Sequence, residues 1–332
     1  MNDSEIQTVG FLIFPGFPMA CLTSMIEPLR AANEIAGVTR FAWRLISEDG
    51  AQVTSSAQVV FDADEALSPQ ADLDFLFLLS SPVSHFQAPK AANGVLRAMA
   101  RRGLTLGAVS GGVFPLVRSG LMEGHSCSVH WCYDAAFRTE FPQMQAASDV
   151  IVMDRYRFTV SGSAAAFDLS LRLIENAMGL EISHEVACWF QHPLMRGEGV
   201  RQAMPLHPTA EAALPDLVAR AIHLFSADLE AALSINDIAA ALNVTPRQVE
   251  RAFKRAVGQS PSHYFRTLRM KAARQLVQYS KDSMAEIAQA VGYASAAPLL
   301  RHYRAAYGVT PSADRARMNA FRVQGQGLLP HS

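Results

Sequence analysis

Cysteine is scarce: Cys21, Cys127, Cys132 and Cys188 are the four in 332 residues, with no CxxC pair and no zinc-ligand spacing. That argues against a disulfide-stapled secreted fold and against a cysteine-held metal, and free thiols in a reduced compartment are expected. Long apolar runs are missing too. "LDFLFLL" is among the longest, far short of the roughly 18 residues a membrane helix needs. The opening "MNDSEIQTVG" lacks a basic segment followed by an apolar core, so export is not expected and a cytoplasmic location is. No cofactor or metal is called for. What is there is ordinary for a globular chain, 50% hydrophobic and 18% charged, and long enough for two domains with separate cores.

Net charge is also lacking, at -1, but the total hides an asymmetry. Residues 1–207 carry 14 Lys+Arg against 21 Asp+Glu, a net of -7, and residues 208–332 carry 15 against 9, a net of +6. Between Thr245 and Arg322 the count is 14 against 4, or +10. An acidic front and a basic back imply that the back half alone meets a polyanion.

In the front half, "TVGFLIF", "FAWRLIS", "LDFLFLLS" and "LTLGAVS" are continuous apolar runs separated by helix-compatible segments such as "MIEPLRAANEIAG" and "AANGVLRAMARRG". Runs of that kind imply strands buried on both faces, hence a parallel sheet wrapped by helices, an α/β open sandwich. "VIVMDRYRFTVSG" reads as a hairpin turning near Asp154 and Arg155, followed by a helix in "SAAAFDLSLRLIENAMG" that Gly179 closes. Ligands in such sheets gather at the carboxyl ends of the strands. There "FPGFPMACLTSMIEPLR" offers Phe17 and Glu27, "LGAVSGGVF" offers Ser110, Gly111 and Gly112, and "CSVHWCY" offers His130 and Trp131. Ser110, after an apolar run and before two glycines, has the setting of a hydrolase nucleophile elbow. Glu27 with Phe17 and Trp131 would suit a cationic amine, and the amides of Gly111 and Gly112 its carboxylate.

The elbow, "GLMEGHSCSVHW" and "FTVSGSAAAFDLSLRLIE" resemble the PfpI amidotransferase-like superfamily over roughly residues 8–190. That superfamily commonly has a cysteine at the elbow, assisted by a glutamate and often a histidine, roles that would fall on Ser110, Glu27 and His130. Serine departs from the pattern. Its hydroxyl needs a positioned base where a thiol ionises readily, so the resemblance implies a degenerate, non-catalytic elbow retained for binding.

The back half repeats itself. In "LSINDIAAALNVTPRQVERAFKRAVGQSPSHYF" one apolar helix face, a turn at Asn243 and Val244, an N-cap at Thr245 and Pro246 beside it spell a helix-turn-helix. "SMAEIAQAVGYASAAPLLRHYRAAYGVTPSADR" repeats it: Ile238 matches Ile287 at a shift of 49, while Arg251 matches Arg301, Phe253 Tyr303, Gly258 Gly308 and Pro261 Pro311 at a shift of 50. "SPSHYFRTLRMKAARQLVQYS" should be the connecting helix, with Phe265, Leu268, Ala272 and Leu276 inward. Two such units on a rigid rod can enter successive major grooves, about 34 Å apart. The candidate contacts are Arg247, Gln248, Glu250, Arg251, Lys254 and Arg255 in the first unit, and Ala296, Ala297, Arg301 and Arg304 in the second. Arginine pairs bidentately with guanine and glutamate accepts from cytosine, whereas Lys254 and Arg255 are placed for phosphates. The alanines and Pro298 make the second unit a poorer reader.

This duplicated motif, with G-x-(S/T)-P after each copy, resembles the AraC transcription-factor family over roughly residues 218–320. Joined to the PfpI-like half, it resembles the GlxA-type branch, whose members sense small nitrogenous metabolites such as arginine and quaternary amines. The implied layout is a sensor at 1–196, a linker at 197–216, a DNA-binding domain at 217–322 and a disordered tail at 323–332. The implied protein is a transcriptional regulator, an activator in the leading reading, with double-stranded promoter DNA, a small metabolite, RNA polymerase and a second copy of itself as partners and no membrane. The alternative is a serine amidase or hydrolase using Ser110, with an accessory DNA-binding module.

Overall fold

The computed structural model describes residues 6–192, 199–200, 202, 214–227, 229–231 and 233–320. Most of the 197–216 connection and all of the 323–332 tail lie outside the described residues. The chain divides into two compact units, one built on residues up to Gln202 and the other on Ala203–Asn319.

The first unit runs through β1 (Gln7–Ile13), α1 (Met19–Ala36), β2 (Phe41–Ser47), β3 (Val53–Thr54), β4 (Val60–Phe61), β5 (Glu65–Ala66), β6 (Phe75–Ser80), α2 (Pro89–Arg101) and β7 (Thr105–Ser110). It continues with α3 (Val113–Arg118), β8 (Ser126–Ser128), α4 (Asp134–Glu140), β9 (Gln145–Ala147), β10 (Ile151–Asp154), β11 (Arg157–Val160), α5 (Ser163–Met178) and α6 (Leu180–Trp189). Seven strands make one sheet in the order β10-β11-β7-β6-β1-β2-β5. All neighbours are parallel except the β10–β11 hairpin, where Asp154 pairs with Arg157 and Arg155 takes the left-handed turn position. The continuous apolar runs earn their double burial: Phe11, Phe77, Leu78 and Val109 are all fully inaccessible. From β1 the chain crosses to β2 on one side, and then to β6 and β7 on the other. Right-handed crossovers in opposite directions put α1 and α2 on opposite faces. On the α1 face the core joins Met25, Leu29, Leu169 and Ile174. There the Ser170 hydroxyl donates to the Met25 carbonyl at 3.0 Å.

The topology reverses direction between β1 and β6, and β7 ends beside β6 at that crevice. Ser110 pairs across from Ser80 at the last rung of β7 and is a non-glycine residue with φ of 55°. The elbow is thus a true strand-to-helix reversal in a left-handed conformation that L residues rarely hold. The two glycines behind it exist for close approach. A Cβ on Gly111 would stand 2.3 Å from the Ser80 carbonyl oxygen, and one on Gly112 1.8 Å from that of Leu78.

The helix-compatible segment "MIEPLRAANEIAG" belongs to a longer helix that starts at Met19, with Pro28 inside it. Proline mid-helix removes a donor and crowds the preceding turn, but Leu22, Met25 and Leu29 are buried on the same helix and hold it in place.

The second unit is α7 (Asp216–Ala227), α8 (Ile235–Ala241), α9 (Pro246–Val257), α10 (Pro261–Tyr279), α11 (Met284–Ala290), α12 (Ala296–Tyr307) and α13 (Pro311–Ala320). Helix starts carry their signals: Ser234, Thr245 and Ser283 form reciprocal capping boxes with Asp237, Gln248 and Glu286. Gly258 and Gly308 close the two recognition helices in the left-handed region. The inter-helix turn needs a positive φ in both copies, supplied by Asn243 at 55° and Gly292 at 74°. The extra residue of the second copy falls just after that turn, because α12 follows α9 at a constant shift of 50. Of the expected inward residues of α10, Phe265, Ala272 and Leu276 are buried and Leu268 packs partly buried against the first copy's core.

Two glycines give opposite expectations for alanine. Gly112→Ala should cost about 3 kcal/mol, because backbone cannot yield to an overlapping Cβ. Gly94→Ala, inside α2 with nothing within 4 Å, should stabilise by about 0.5–1 kcal/mol through helix propensity. Urea unfolding of the full chain checks both, and equal effects would show that the elbow backbone is not sterically pinned.

Candidate functional site

The recognition helix α9 buries Val249 and Phe253 and turns Arg247, Gln248, Glu250, Arg251, Lys254 and Arg255 to solvent. Its register copy α12 buries Leu299 and Tyr303 and exposes Ala297, Arg301 and Arg304, with Ala296 half-buried. Pro298 stands third in α12, inside the first turn, where its missing N–H costs nothing. Among the described residues, Arg247, Arg251, Arg255, Arg301 and Arg304 make no hydrogen bond and no ion pair. Five cations are left un-neutralised on the two surfaces that the repeat superposes.

Two members of the expected set are partly occupied. The Gln248 side-chain oxygen accepts from the Thr245 N–H at 2.7 Å and its hydroxyl at 3.0 Å, closing the capping box. Lys254 Nζ donates to the Gly258 carbonyl at 3.2 Å, where it covers the negative end of α9.

Other cations of the basic half work inside the fold, which sequence counting could not separate. Arg269 lies over the rings of Phe225 and Tyr293, at 5.0 and 5.8 Å to their centroids. Arg315 is 1% exposed and donates to the carbonyls of Val277 and Asp282 at 3.0 and 2.8 Å. Arg274 donates to Asp314 at 2.8 and 3.3 Å and stacks over Tyr307. Asp314 also accepts from Tyr303 at 2.7 Å and Gln278 at 3.4 Å. In the first copy the matching positions are Phe253, Tyr264 and Phe265, an aromatic cluster with centroids 5.5 to 6.3 Å apart. The second copy has exchanged that cluster for Tyr303, Asp314 and Arg315. Burial pushes the Asp314 carboxyl upward, but hydrogen bonds from Arg274 and Tyr303 outweigh it and hold it below its ordinary 3.8. The same ion pair raises Arg274.

In the first unit the expected pocket residues each have local surroundings of their own. Ser110 is 5% exposed, and its hydroxyl makes no hydrogen bond among the described residues. The Gly112 N–H is spent on the Val109 carbonyl at 3.0 Å. Phe17 is a core residue, 0% exposed, edge-on to Phe61 at 5.3 Å. Glu27 is 46% exposed and pairs with Arg30 at 3.0 Å, eight residues past the start of α1 and so about 12 Å along its axis. Trp131 is half-buried, its N–H donating to the Gln202 side chain at 2.8 Å. His130 follows β8 and faces Gly162 at the start of α5, where an added Cβ would meet the ring at 3.4 Å. Burial lowers the His130 pKa below its usual value. No general base is bonded to Ser110, so the elbow has a hydrolase backbone without its proton relay. Sequence reading missed Gln202, which also donates to Val129 at 2.7 Å. It also missed the small cleft lined by Phe14, Pro15, Glu48, Asp49, Gln52 and Phe86. Single polar residues inside Pro- and Gly-rich segments carry no periodic signal that could have pointed to them.

These two units define a DNA-binding transcriptional regulator, and the comparisons with known proteins agree. The helix-turn-helix domain model matches residues 238–317. The chain is 33% identical over 312 residues to the HTH-type transcriptional regulator GbdR of Pseudomonas aeruginosa, covering 93% of this chain and 84% of that protein. It is 26% identical over 324 residues to the HTH-type transcriptional regulator GlxA of Rhizobium meliloti, covering 95% and 98%. The crystal structure of an AraC family transcriptional regulator from Pseudomonas putida superposes with a TM-score of 0.51 at 25% identity, covering 55% of this chain and 99% of that one. The chain belongs to the AraC family of transcriptional regulators. No helix among the described residues is long and apolar enough to cross a membrane.

The Asp314 network sets a stability prediction. A carboxyl depressed in the folded state contributes stability that is complete above the unfolded value near 3.9 and is lost as pH falls through the lower folded value. Asp314→Asn should therefore cost about 2 kcal/mol at neutral pH, with Arg274 partly exposed and screened. It should also flatten the stability loss below about pH 4. Denaturant titrations at pH 7 and pH 3 measure this, and an unchanged acid limb would show that the carboxylate is not what ties the second copy together.

Proposed function

We propose that this chain is a ligand-controlled activator. Its two recognition helices sit in successive major grooves of promoter DNA, and its front unit answers to a small nitrogenous metabolite. The observation that carries the DNA reading is the set of five un-neutralised arginines on the register-matched faces of α9 and α12, against Arg269, Arg274 and Arg315 of α10 and α13, which have internal partners. Unpaired guanidinium groups on a groove-sized helix are the donors that guanine edges and phosphates accept. The first unit reads more sequence than the second, since Arg247, Glu250 and Arg251 face Ala297 and Arg301 in the copy. The ligand binds at the carboxyl ends of the strands, with Ser110, Gly111, His130 and Trp131 as contacts. The full burial of Phe17 and the pairing of Glu27 with Arg30 speak against an aromatic cage formed by these two residues. The ligand acts through different affinities for DNA-competent and incompetent states. A homodimer and contact with RNA polymerase complete the proposed assembly.

The experiment is a binding selection on the full chain with two variants. Arg251→Ala should lose about 1–3 kcal/mol and relax one base preference, while Lys254→Ala should weaken all sequences alike. Equal information in both half-sites, or a uniform loss from Arg251→Ala, would contradict the lopsided reading. Ser110→Ala should keep ligand-dependent DNA binding. A hydrolytic turnover that vanishes with Ser110→Ala would instead favour a serine amidase.

A further inference from the structure

The four cysteines occupy three environments. Cys21 and Cys127 are buried, and burial pushes each thiol up to about 12. Cys188 is exposed. Cys132 is half-buried, and its Sγ lies 2.9 Å from Nδ1 of His130. We infer that Cys132 and His130 form a nucleophile–base pair, a covalent modification site for soft carbon electrophiles, which shares His130 with the ligand site proposed above but does not rest on that reading.

The geometry fixes the roles. His130 Nδ1 also accepts the Cys132 backbone N–H at 3.2 Å, so the ring's own hydrogen belongs on Nε2 and Nδ1 is the acceptor. The turn Trp131–Tyr133 holds the thiol over that nitrogen. The Trp131 and Tyr133 rings flank the imidazole at 5.5 and 5.3 Å. Gln202 clamps the segment from outside through Trp131 N–H and the Val129 carbonyl. Cys132 and Tyr133 are the titratable groups interacting with His130 among the described residues, and from α5 it is Gly162 that meets the ring. With no carboxylate against it and burial disfavouring its charge, the imidazole is neutral at pH 7 and available as a base. In the reaction Sγ attacks the electrophilic carbon as Nδ1 takes the thiol proton. With a conjugated carbonyl, the S–C bond forms at the β-carbon and the π pair moves to oxygen as an enolate. The imidazolium then returns its proton to the α-carbon. Nothing leaves and no oxidant is required.

The test is alkylation of the full chain by iodoacetamide, where iodide leaves, with each cysteine followed by mass spectrometry. Cys132 should react about tenfold faster than Cys188 at pH 7, although Cys188 is the more exposed. Its rate should change by less than about threefold from pH 6.5 to 8.5, because the base is already neutral, while that of free cysteine under the same conditions should rise more than about tenfold. His130→Gln and His130→Asn should each slow Cys132 about tenfold and restore the steep profile. Continued protection of Cys127 reports that the variants stay folded. If the Cys132 profile rises in parallel with that of free cysteine, or Cys132 is no faster than Cys188, or folded His130 variants keep the parent rate, the pair is not a nucleophilic site.

Discussion

One buried carboxylate organises the half of the molecule that meets DNA. Asp314 on α13 gathers Arg274 and Gln278 from α10 and Tyr303 from α12. The second recognition helix is therefore fastened to the connecting rod by directional hydrogen bonds and not by apolar packing alone. A charge out of water is costly unless every partner is in place, and that requirement fixes one arrangement of the three helices. The first copy solves the same problem with stacked rings, Phe225 lying on Phe265 at 4.0 Å. The two units therefore share a backbone but not a core chemistry.

That division explains why the arginines must be sorted before charge is turned into function. A net of +10 over one segment predicts attraction to a polyanion, yet three of its arginines are structural. Arg269 serves two rings, Arg274 a carboxylate and Arg315 two carbonyls. Of the others, Arg247, Arg251, Arg255, Arg301 and Arg304 lie on α9 and α12, where a groove would find them, while Arg266 and Arg317 are exposed on α10 and α13. In the front unit the logic is inverted. The elbow keeps its strained Ser110 and its two sterically required glycines. The groups that would make a serine reactive have other partners: Glu27 is held by Arg30 and His130 by Cys132. Shape has been retained where acid–base chemistry has not.

Much of this was legible in the residues. The strands announce themselves as apolar runs because the sheet is covered on both faces, and the helix-turn-helix repeats because Ile, Ala, Gly and Pro recur at fixed offsets for packing and capping reasons. The Asp314 network was hidden, since an aspartate and an arginine in a basic helix look like a solvated face until the fold buries them. The starting point of α1 was obscured by Pro28, which reads as a helix start and is tolerated mid-helix because its neighbours are buried. The short pairs β3–β4 and β8–β9 carry too few residues to show alternation. Gln202 sits in a stretch with linker composition, and only tertiary contact reveals that it closes on Val129 and Trp131.

The central claim is that two unequal recognition helices on one rigid unit approach a duplex from one side. Hydroxyl-radical footprinting of the full chain on a selected promoter tests it directly. The account predicts two protected blocks on the same face, about one helical turn or 10 base pairs apart, with the block under α9 the more sensitive to base substitution. A single block, or protection on opposite faces of the duplex, would contradict it.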